Sequence, residues 1–232
     1  MNRLDPNLAN LTLVAERLGD MVGEVVFLGG CAVGLLLTDP AAPPVRATVD
    51  VDVIAELAST GAYHRFGERL RALGFREDSS DTVICRWVVG AVKVDVMPID
   101  SDILGFANRW YPLALSTATE TQLPSGITIR MVTAPCFIAT KIEAFLGRGN
   151  GDWWGSHDLE DLIAVLDGRP EVEEELRRAD LELHRFVAKT FTRWLQEPDF
   201  IEALSGHLPG DIASQGRKQG LLGRMERMAT LG

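Results

Sequence analysis

The sequence predicts an α+β fold, in which a small mixed β-sheet core flanked by helices precedes a helical C-terminal region. Short runs of alternating β-branched residues occur only up to about residue 132. After Pro135 the apolar residues recur mainly at helical spacing. The length of 232 residues fits one domain with an appendage or two small domains. We therefore expect an α+β core over residues 1–132 and a helical region over residues 133–232.

The elements of the core follow from periodicity and from breaker residues. Asp5-Pro6 is typical of a helix start, because Asp caps helices and Pro is favoured at the first helical position. Gly90-Ala91 separates two alternating runs and indicates a two-residue hairpin turn. In chain order, the prediction is a helix over 6–22, a strand over 25–28, a helix over 31–37, a loop over 39–44, a strand over 48–54, a helix over 63–73, strands over 83–89 and 92–96, and a strand over 127–132.

The second part of the chain is predicted to be helical throughout. The expected helices cover about residues 135–147, 157–167, 171–196 and 209–229. The last segment, 201–232, carries more basic than acidic side chains, unlike the rest of the chain. It could contact an RNA backbone or form an ordinary solvated surface.

Composition excludes several classes of protein. With 46% hydrophobic and 24% charged residues, the chain is typical of a soluble globular protein. The net charge of -10 argues against a protein that coats nucleic-acid backbones with Lys and Arg, although a local basic groove stays possible. Its three cysteines are widely spaced, which favours a reducing compartment over a disulfide framework. We expect a cytoplasmic protein without a membrane partner, because no leader or long apolar run is evident.

Asp50 and Asp52 are the first candidates for chemistry. In a strand, residues two apart leave the same face, so both carboxylates are expected within a few ångströms of each other. Adjacent like charges are unfavourable unless something neutralises them, and hard carboxylate oxygens suit Mg²⁺. The alternative is a solvent-facing polar row on a half-buried strand.

Asp95 lies in a second alternating strand and shares its outward face with Lys93. Three carboxylates on adjacent strands could hold two metal ions, one activating an attacking hydroxyl and the other stabilising the leaving phosphate oxygens. The alternative is again a polar sheet face. The sequence leaves open whether the two strands are neighbours.

Gly29-Gly30 ends the first predicted strand. Two glycines at a strand–helix turn let the backbone approach a phosphate closely, and the helix N-terminus then offers N–H groups to it. The alternative is a tight turn without a ligand.

Segments 26–32 and 46–52 together resemble the first motif of the polymerase-β-like nucleotidyltransferase superfamily, in which Gly-Gly or Gly-Ser precedes Asp-x-Asp on the next strand. The Arg-x-Thr-x-Asp-x-Asp form is similar to the AbiEii and MenT-type toxin nucleotidyltransferases. Their later motif, Lys followed by Arg and then Asp-x-x-Asp-Leu, resembles Lys141, Arg148 and segment 157–162. One departure is Cys31, which stands where many members carry Ser, so that a hydroxyl for the phosphates is missing or supplied elsewhere.

The resemblance implies an enzyme that moves a nucleoside monophosphate from an NTP, such as ATP, to an acceptor hydroxyl with Mg²⁺ at a two-metal site. The acceptor would be the 3′ end of tRNA, and the partner a possible cognate antitoxin. The implied catalytic residues are Asp50, Asp52, Asp95, Lys141 and Asp158, of which the first three would hold the metals. The implied nucleotide-binding residues are Gly29, Gly30, Arg46, Thr48, Lys141 and Arg148.

Alternatives remain open for both the function and the residues. The acceptor could be a small molecule such as an aminoglycoside, or the chain could be a non-catalytic regulatory protein that retains the fold. Lys141 lies in an apolar stripe, where a lysine often extends its ammonium toward water. Asp158 lies in the first turn of its predicted helix, where the helix dipole favours acids whatever their function.

Overall fold

A computed structural model describes residues 5–57, 59–78, 83–105 and 107–230. Over these ranges the chain divides into two compact units. The first, here called the sheet unit, comprises Asp5–Ala32 and Arg46–Thr133. The second, the helical unit, comprises Val33–Val45 and the chain from Ala134 onward.

Helices are spread along the whole chain, whereas strands belong to the sheet unit. The strands are β1 (Val25–Leu28), β2 (Asp50–Ala55), β3 (Arg76–Glu77), β4 (Arg86–Val89), β5 (Val92–Pro98), β6 (Thr119–Gln122) and β7 (Thr128–Met131). The helices are α1 (Leu8–Leu18), α2 (Val33–Leu36), α3 (Thr60–Ala72), α4 (Ser101–Leu104), α5 (Tyr111–Ser116), α6 (Ala134–Arg148), α7 (His157–Gly168), α8 (Val172–Arg178), α9 (Leu181–Trp194), α10 (Pro198–Ala203), α11 (Ile212–Gly216) and α12 (Lys218–Ala229).

The strands form one mixed sheet. Over the described residues it has seven strands in the order β3-β4-β5-β2-β1-β7-β6. β2 runs parallel to β5 and β1 parallel to β7, while the other neighbouring pairs are antiparallel. The central strand β1 is buried along its whole length, and β2 and β5 alternate buried and half-buried positions at their N-terminal ends. The predicted α+β fold class is confirmed.

The hairpin predicted at Gly90-Ala91 is confirmed, but β3 and β6 were not predicted from the sequence. Gly90 has a φ of 60°, which the hairpin turn requires. β3 has two exposed residues, and β6 exposes three of its four, so neither carries the apolar alternation by which a strand is recognised. The strand predicted over 48–54 begins instead at Asp50.

The predicted helix over 6–22 is too long at both ends. The observed helix α1 ends before Gly19, which has a φ of 52°, a value that strains residues with a side chain. A 3₁₀ turn follows over Gly19–Glu24. The cap position belongs to Asn7 rather than Asp5. The helix predicted over 31–37 is also shorter, since it consists of a 3₁₀ turn over Gly30–Ala32 and the single turn of α2.

In the helical unit, the first two predicted helices are confirmed to within about one residue at each end. The helix predicted over 171–196 is broken between α8 and α9, because the Asp180 carboxylate caps a new helix by accepting bonds from the N–H groups of Glu182 and Leu183. The helix predicted over 209–229 divides into α11 and α12, and α10 was not predicted. No helix in the described ranges is long and apolar enough to cross a membrane.

Candidate active site

The sheet brings the three predicted carboxylates to one face. In the parallel pairing of β2 with β5, Asp52 lies opposite Asp95 and Asp50 lies opposite Lys93. Paired residues on neighbouring strands point to the same side of a sheet. The two strands are therefore neighbours, and Asp50, Asp52 and Asp95 share one face.

Asp52 packs directly against Gly29. β1 pairs with β2 so that Leu28 lies opposite Asp52, and Gly29 follows with a φ of 75°. A Cβ atom at this glycine would lie 1.8 Å from Oδ2 of Asp52. Only glycine therefore leaves room for the carboxylate beside the turn, which joins the two halves of the sequence motif into one structural arrangement.

The Gly-Gly turn offers backbone rather than side-chain groups. The Ala32 N–H donates to the Gly29 carbonyl at 3.1 Å, and the Cys31 thiol donates to the Leu28 carbonyl at 3.3 Å. Cys31 is fully buried. Because only a 3₁₀ turn and the single turn of α2 stand in place of the predicted helix, the macrodipole expected at this point is small.

Arg46 and Thr48 lie in the segment that leads into β2, and Asn7 holds this segment in place. The fully buried Asn7 amide donates to the Arg46 carbonyl at 3.0 Å and accepts from the Thr48 N–H at 2.9 Å. The Thr48 hydroxyl donates to the Asp50 carbonyl at 3.1 Å. Sequence reasoning missed Asn7, because a polar residue at the start of an amphipathic helix is expected to be only a cap.

Arg86 is the second residue that sequence reasoning missed. Its Nε and Nη2 atoms each donate to one oxygen of Asp95 at 2.7 Å, and Nη2 also lies 3.5 Å from Oδ2 of Asp50. The side chains of Arg86 and Asp95 are 13% and 10% exposed. This pairing could have been predicted from the sequence, because a hairpin with a two-residue turn at Gly90-Ala91 places Arg86 opposite Asp95.

The three carboxylates offer oxygen ligands to a cation. Their oxygens are of the type that Mg²⁺ prefers, and Asp50 is 35% exposed. Arg86, however, already engages both oxygens of Asp95. Among the residues that the structure describes, no group of three or more His, Cys, Asp or Glu side chains is arranged to hold a metal ion. By the chemistry of their oxygens, Asp50 and Asp52 are candidates for holding a cation.

Lys141, Arg148 and Asp158 form a separate cluster within the helical unit. The Lys141 ammonium on α6 donates to Asp158 at 3.1 Å and to Asp161 at 2.6 Å, both on α7. Arg148 donates to the two oxygens of Asp158 at 3.0 and 3.1 Å. Lys141 is 8% exposed, so its ammonium does not extend into water but is neutralised by buried carboxylates. Asp161 was missed as a member, although its i, i+3 spacing from Asp158 puts both on one helix face.

This cluster predicts a loss of stability in acid. Burial raises the pKa of the Asp158 carboxyl, but the bonds from Arg148 and the charge of Lys141 outweigh burial and hold the pKa below its ordinary value. Such a group stabilises the fold above its unfolded pKa of about 3.9, and this contribution is lost as pH falls through the folded pKa. We expect the free energy of unfolding in urea to fall more steeply below pH 4 for the wild type than for Asp158→Asn.

The control for this prediction is Asp199→Asn, which changes an exposed aspartate of the same unit. Its acid dependence should match that of the wild type. Equal slopes for wild type and Asp158→Asn would contradict the stabilising role assigned to this carboxylate.

The basic side chains near the C-terminus are engaged within the helical unit. Arg217 donates to Asp167 at 2.7 Å and to Asp39 at 2.7 Å. Other members of this set make comparable contacts, namely Lys218 to the Ser205 hydroxyl, Arg224 to the Leu166 carbonyl and Arg227 to Glu173. The excess of basic residues in this segment is therefore a weak argument for RNA binding.

A mixed sheet that brings a Gly-Gly turn and Asp-x-Asp together is the arrangement that the resemblance described above leads one to expect. The chain is similar to a solved structure described as an antigenic nucleotidyltransferase-like protein from Paracoccidioides brasiliensis. The TM-score is 0.51 at 19% sequence identity, over 87% of this chain and 93% of that one. This likeness concerns the fold. No protein-family model matches the sequence, and no curated protein matches it.

Proposed function

We propose that this protein is a Mg²⁺-dependent nucleotidyltransferase that moves a nucleoside monophosphate from an NTP to an acceptor hydroxyl. The observation that supports this best is the position of Asp52, packed against Gly29 and in register with Asp95, in a nucleotidyltransferase-like fold. The presence of all three carboxylates argues against a regulatory protein that has lost catalysis.

In the proposed reaction the acceptor oxygen forms a bond to the α-phosphorus of the NTP. The bond from that phosphorus to the bridging oxygen breaks, pyrophosphate leaves, and the acceptor proton passes to a carboxylate or to water. Mg²⁺ at Asp50 and Asp52 would neutralise triphosphate charge. Asp95 has lone-pair directions beyond the two that Arg86 uses, so it could accept a hydrogen bond from the hydroxyl and orient it.

The nucleotide contacts in this proposal begin at the Gly-Gly turn of the sheet unit. Gly29 and Gly30 would offer backbone N–H groups to the phosphates, with Arg46 and Thr48 close in sequence to the carboxylates. In the helical unit, the Arg148 side chain is 74% exposed, and its role in nucleotide binding is proposed on the family resemblance. The roles of Lys141 and Asp158 rest on the family resemblance alone, and their mutual ion pair is equally consistent with a structural role.

We propose the 3′ end of tRNA as the first acceptor, on the resemblance to toxin nucleotidyltransferases, with a cognate antitoxin as a possible partner. A cationic small molecule such as an aminoglycoside is the second candidate. The net charge of -10 and the internal pairing of the C-terminal basic residues favour this second candidate.

The test is transfer of label from each of the four α-³²P NTPs, with Mg²⁺, to total tRNA or to a panel of aminoglycosides. We expect label on one acceptor class, and the class that is labelled decides between the two candidates. Omission of Mg²⁺ with added EDTA should prevent transfer. If the folded protein labels neither class with any NTP, the proposed function is wrong.

A further inference from the structure

We infer that Arg86 supplies one of the positive charges of the carboxylate face, so that the nucleotide-free site takes a single divalent cation rather than two. The inference rests on the proposed function and refines its metal site. It makes Arg86 a positioning residue, which acts by holding Asp95.

The geometry of the ion pair carries this inference. The two bonds of 2.7 Å from Arg86 to Asp95 are bidentate, and a further contact reaches Asp50 at 3.5 Å. The Arg86 guanidinium thus contacts carboxylates from two neighbouring strands. Its positive charge reduces the repulsion between them, which a metal ion would otherwise have to do. Its planar donors match the carboxylate oxygens and fix the direction of Asp95.

The charge of the face agrees with one cation. Asp50, Asp52 and Asp95 are opposed by Arg86, and a single divalent ion would neutralise the charge that remains. Lys93, which also lies on this face, is 3.8 Å from Asp78 in a further ion pair. In the nucleotide-free protein, a second divalent ion would therefore leave an excess of positive charge beside Asp95, which is largely buried.

Displacing Arg86 from Asp95 is also unfavourable. Both side chains are close to nine-tenths buried, and a cation that captured Asp95 would leave the guanidinium without its strongest partner. The exposed pair of Arg69 and Glu24 in the same unit has similar bidentate geometry but lies largely in solvent. It provides a matched control for the loss of one arginine.

The experiment counts Mn²⁺ ions bound to the full-length apoprotein, by titration calorimetry and by electron paramagnetic resonance of free Mn²⁺. We expect one Mn²⁺ per chain in the wild type and in Arg69→Gln. Arg86→Gln should bind a second Mn²⁺, because Asp95 is released, and the double variant R86Q/D95N should return to one. Two ions in the wild type, or one ion in folded Arg86→Gln, would overturn the inference.

Arg86→Lys keeps the test decisive if Arg86→Gln does not fold. Lysine retains the positive charge without the bidentate geometry, so a count of one ion supports the charge argument and a count of two overturns it. Nucleotidyl transfer is measured on the same samples. Two ions in a wild type that labels its acceptor would reject only this inference, whereas absence of both Mn²⁺ binding and transfer would reject the proposed function as well.

Discussion

Asp52→Asn is expected to lower the rate of nucleotidyl transfer about a hundredfold to a thousandfold, because loss of one group that organises charge in a transition state has effects of this order. Asn has the size of Asp, so it fits beside Gly29 while it removes the charge that would hold a cation. Removal of a like charge opposite Asp95 should change the free energy of unfolding by no more than about 1 kcal/mol. Steady-state label transfer and urea unfolding measure the two effects separately.

The matched control is Asp20→Asn, an exposed aspartate of the sheet unit. It should retain the wild-type rate. If folded Asp52→Asn kept more than a tenth of the wild-type rate, Asp52 would not be a ligand or catalytic group.

Gly29→Ala should impair both stability and activity. A methyl group here would lie 1.8 Å from Oδ2 and 2.6 Å from Cγ of Asp52, so the carboxylate or the turn must move. Positive φ costs an L residue roughly 1–2 kcal/mol, and forced overlap in a packed site adds about 1–3 kcal/mol. We expect a loss of about 2–5 kcal/mol in the free energy of unfolding, together with loss of nucleotidyl transfer.

Gly126→Ala separates the two causes. Gly126 also lies in the sheet unit and has a φ of 91°, but a Cβ there would meet no atom within 4 Å. It should show the strain of positive φ without the overlap, and transfer should be unaffected. Equal losses of stability and activity in the two variants would show that the contact with Asp52 has no special importance.

The sequence allowed the strands of the site to be predicted, because their residues alternate and end at glycines. The strand over 25–28 is confirmed as predicted, and the hairpin turn at Gly90-Ala91 is confirmed, with β4 starting only at Arg86 and β5 continuing to Pro98. The pairing of β2 with β5 was left open, since nothing local to either strand specifies a parallel neighbour distant in sequence. That Asp52 and Asp95 share one face of the sheet could therefore be learned only from the structure.

Interactions between distant residues account for most of what was missed. Asn7 caps nothing through its side chain and instead bonds to residues about forty positions later. The helix predicted over 171–196 failed for the opposite reason, because a local cap at Asp180 outweighs a continuous apolar periodicity. Arg86 could have been found, since the predicted hairpin already implied its partner. The roles of Asp50, Asp52, Asp95 and Lys141 stay predictions.

The passage of the chain through segment Val33–Val45 has a consequence for dissecting the protein. This segment belongs to the helical unit, where the N–H groups of Thr38 and Asp39 donate to the Gly168 carbonyl at 3.0 and 2.9 Å. It lies in sequence between the Gly-Gly turn and Asp-x-Asp, so neither unit is a continuous stretch of polypeptide. A fragment that ended near residue 133 would keep both the Gly-Gly turn and Asp-x-Asp. It would lack Gly168, whose carbonyl accepts the hydrogen bonds of the segment that joins them.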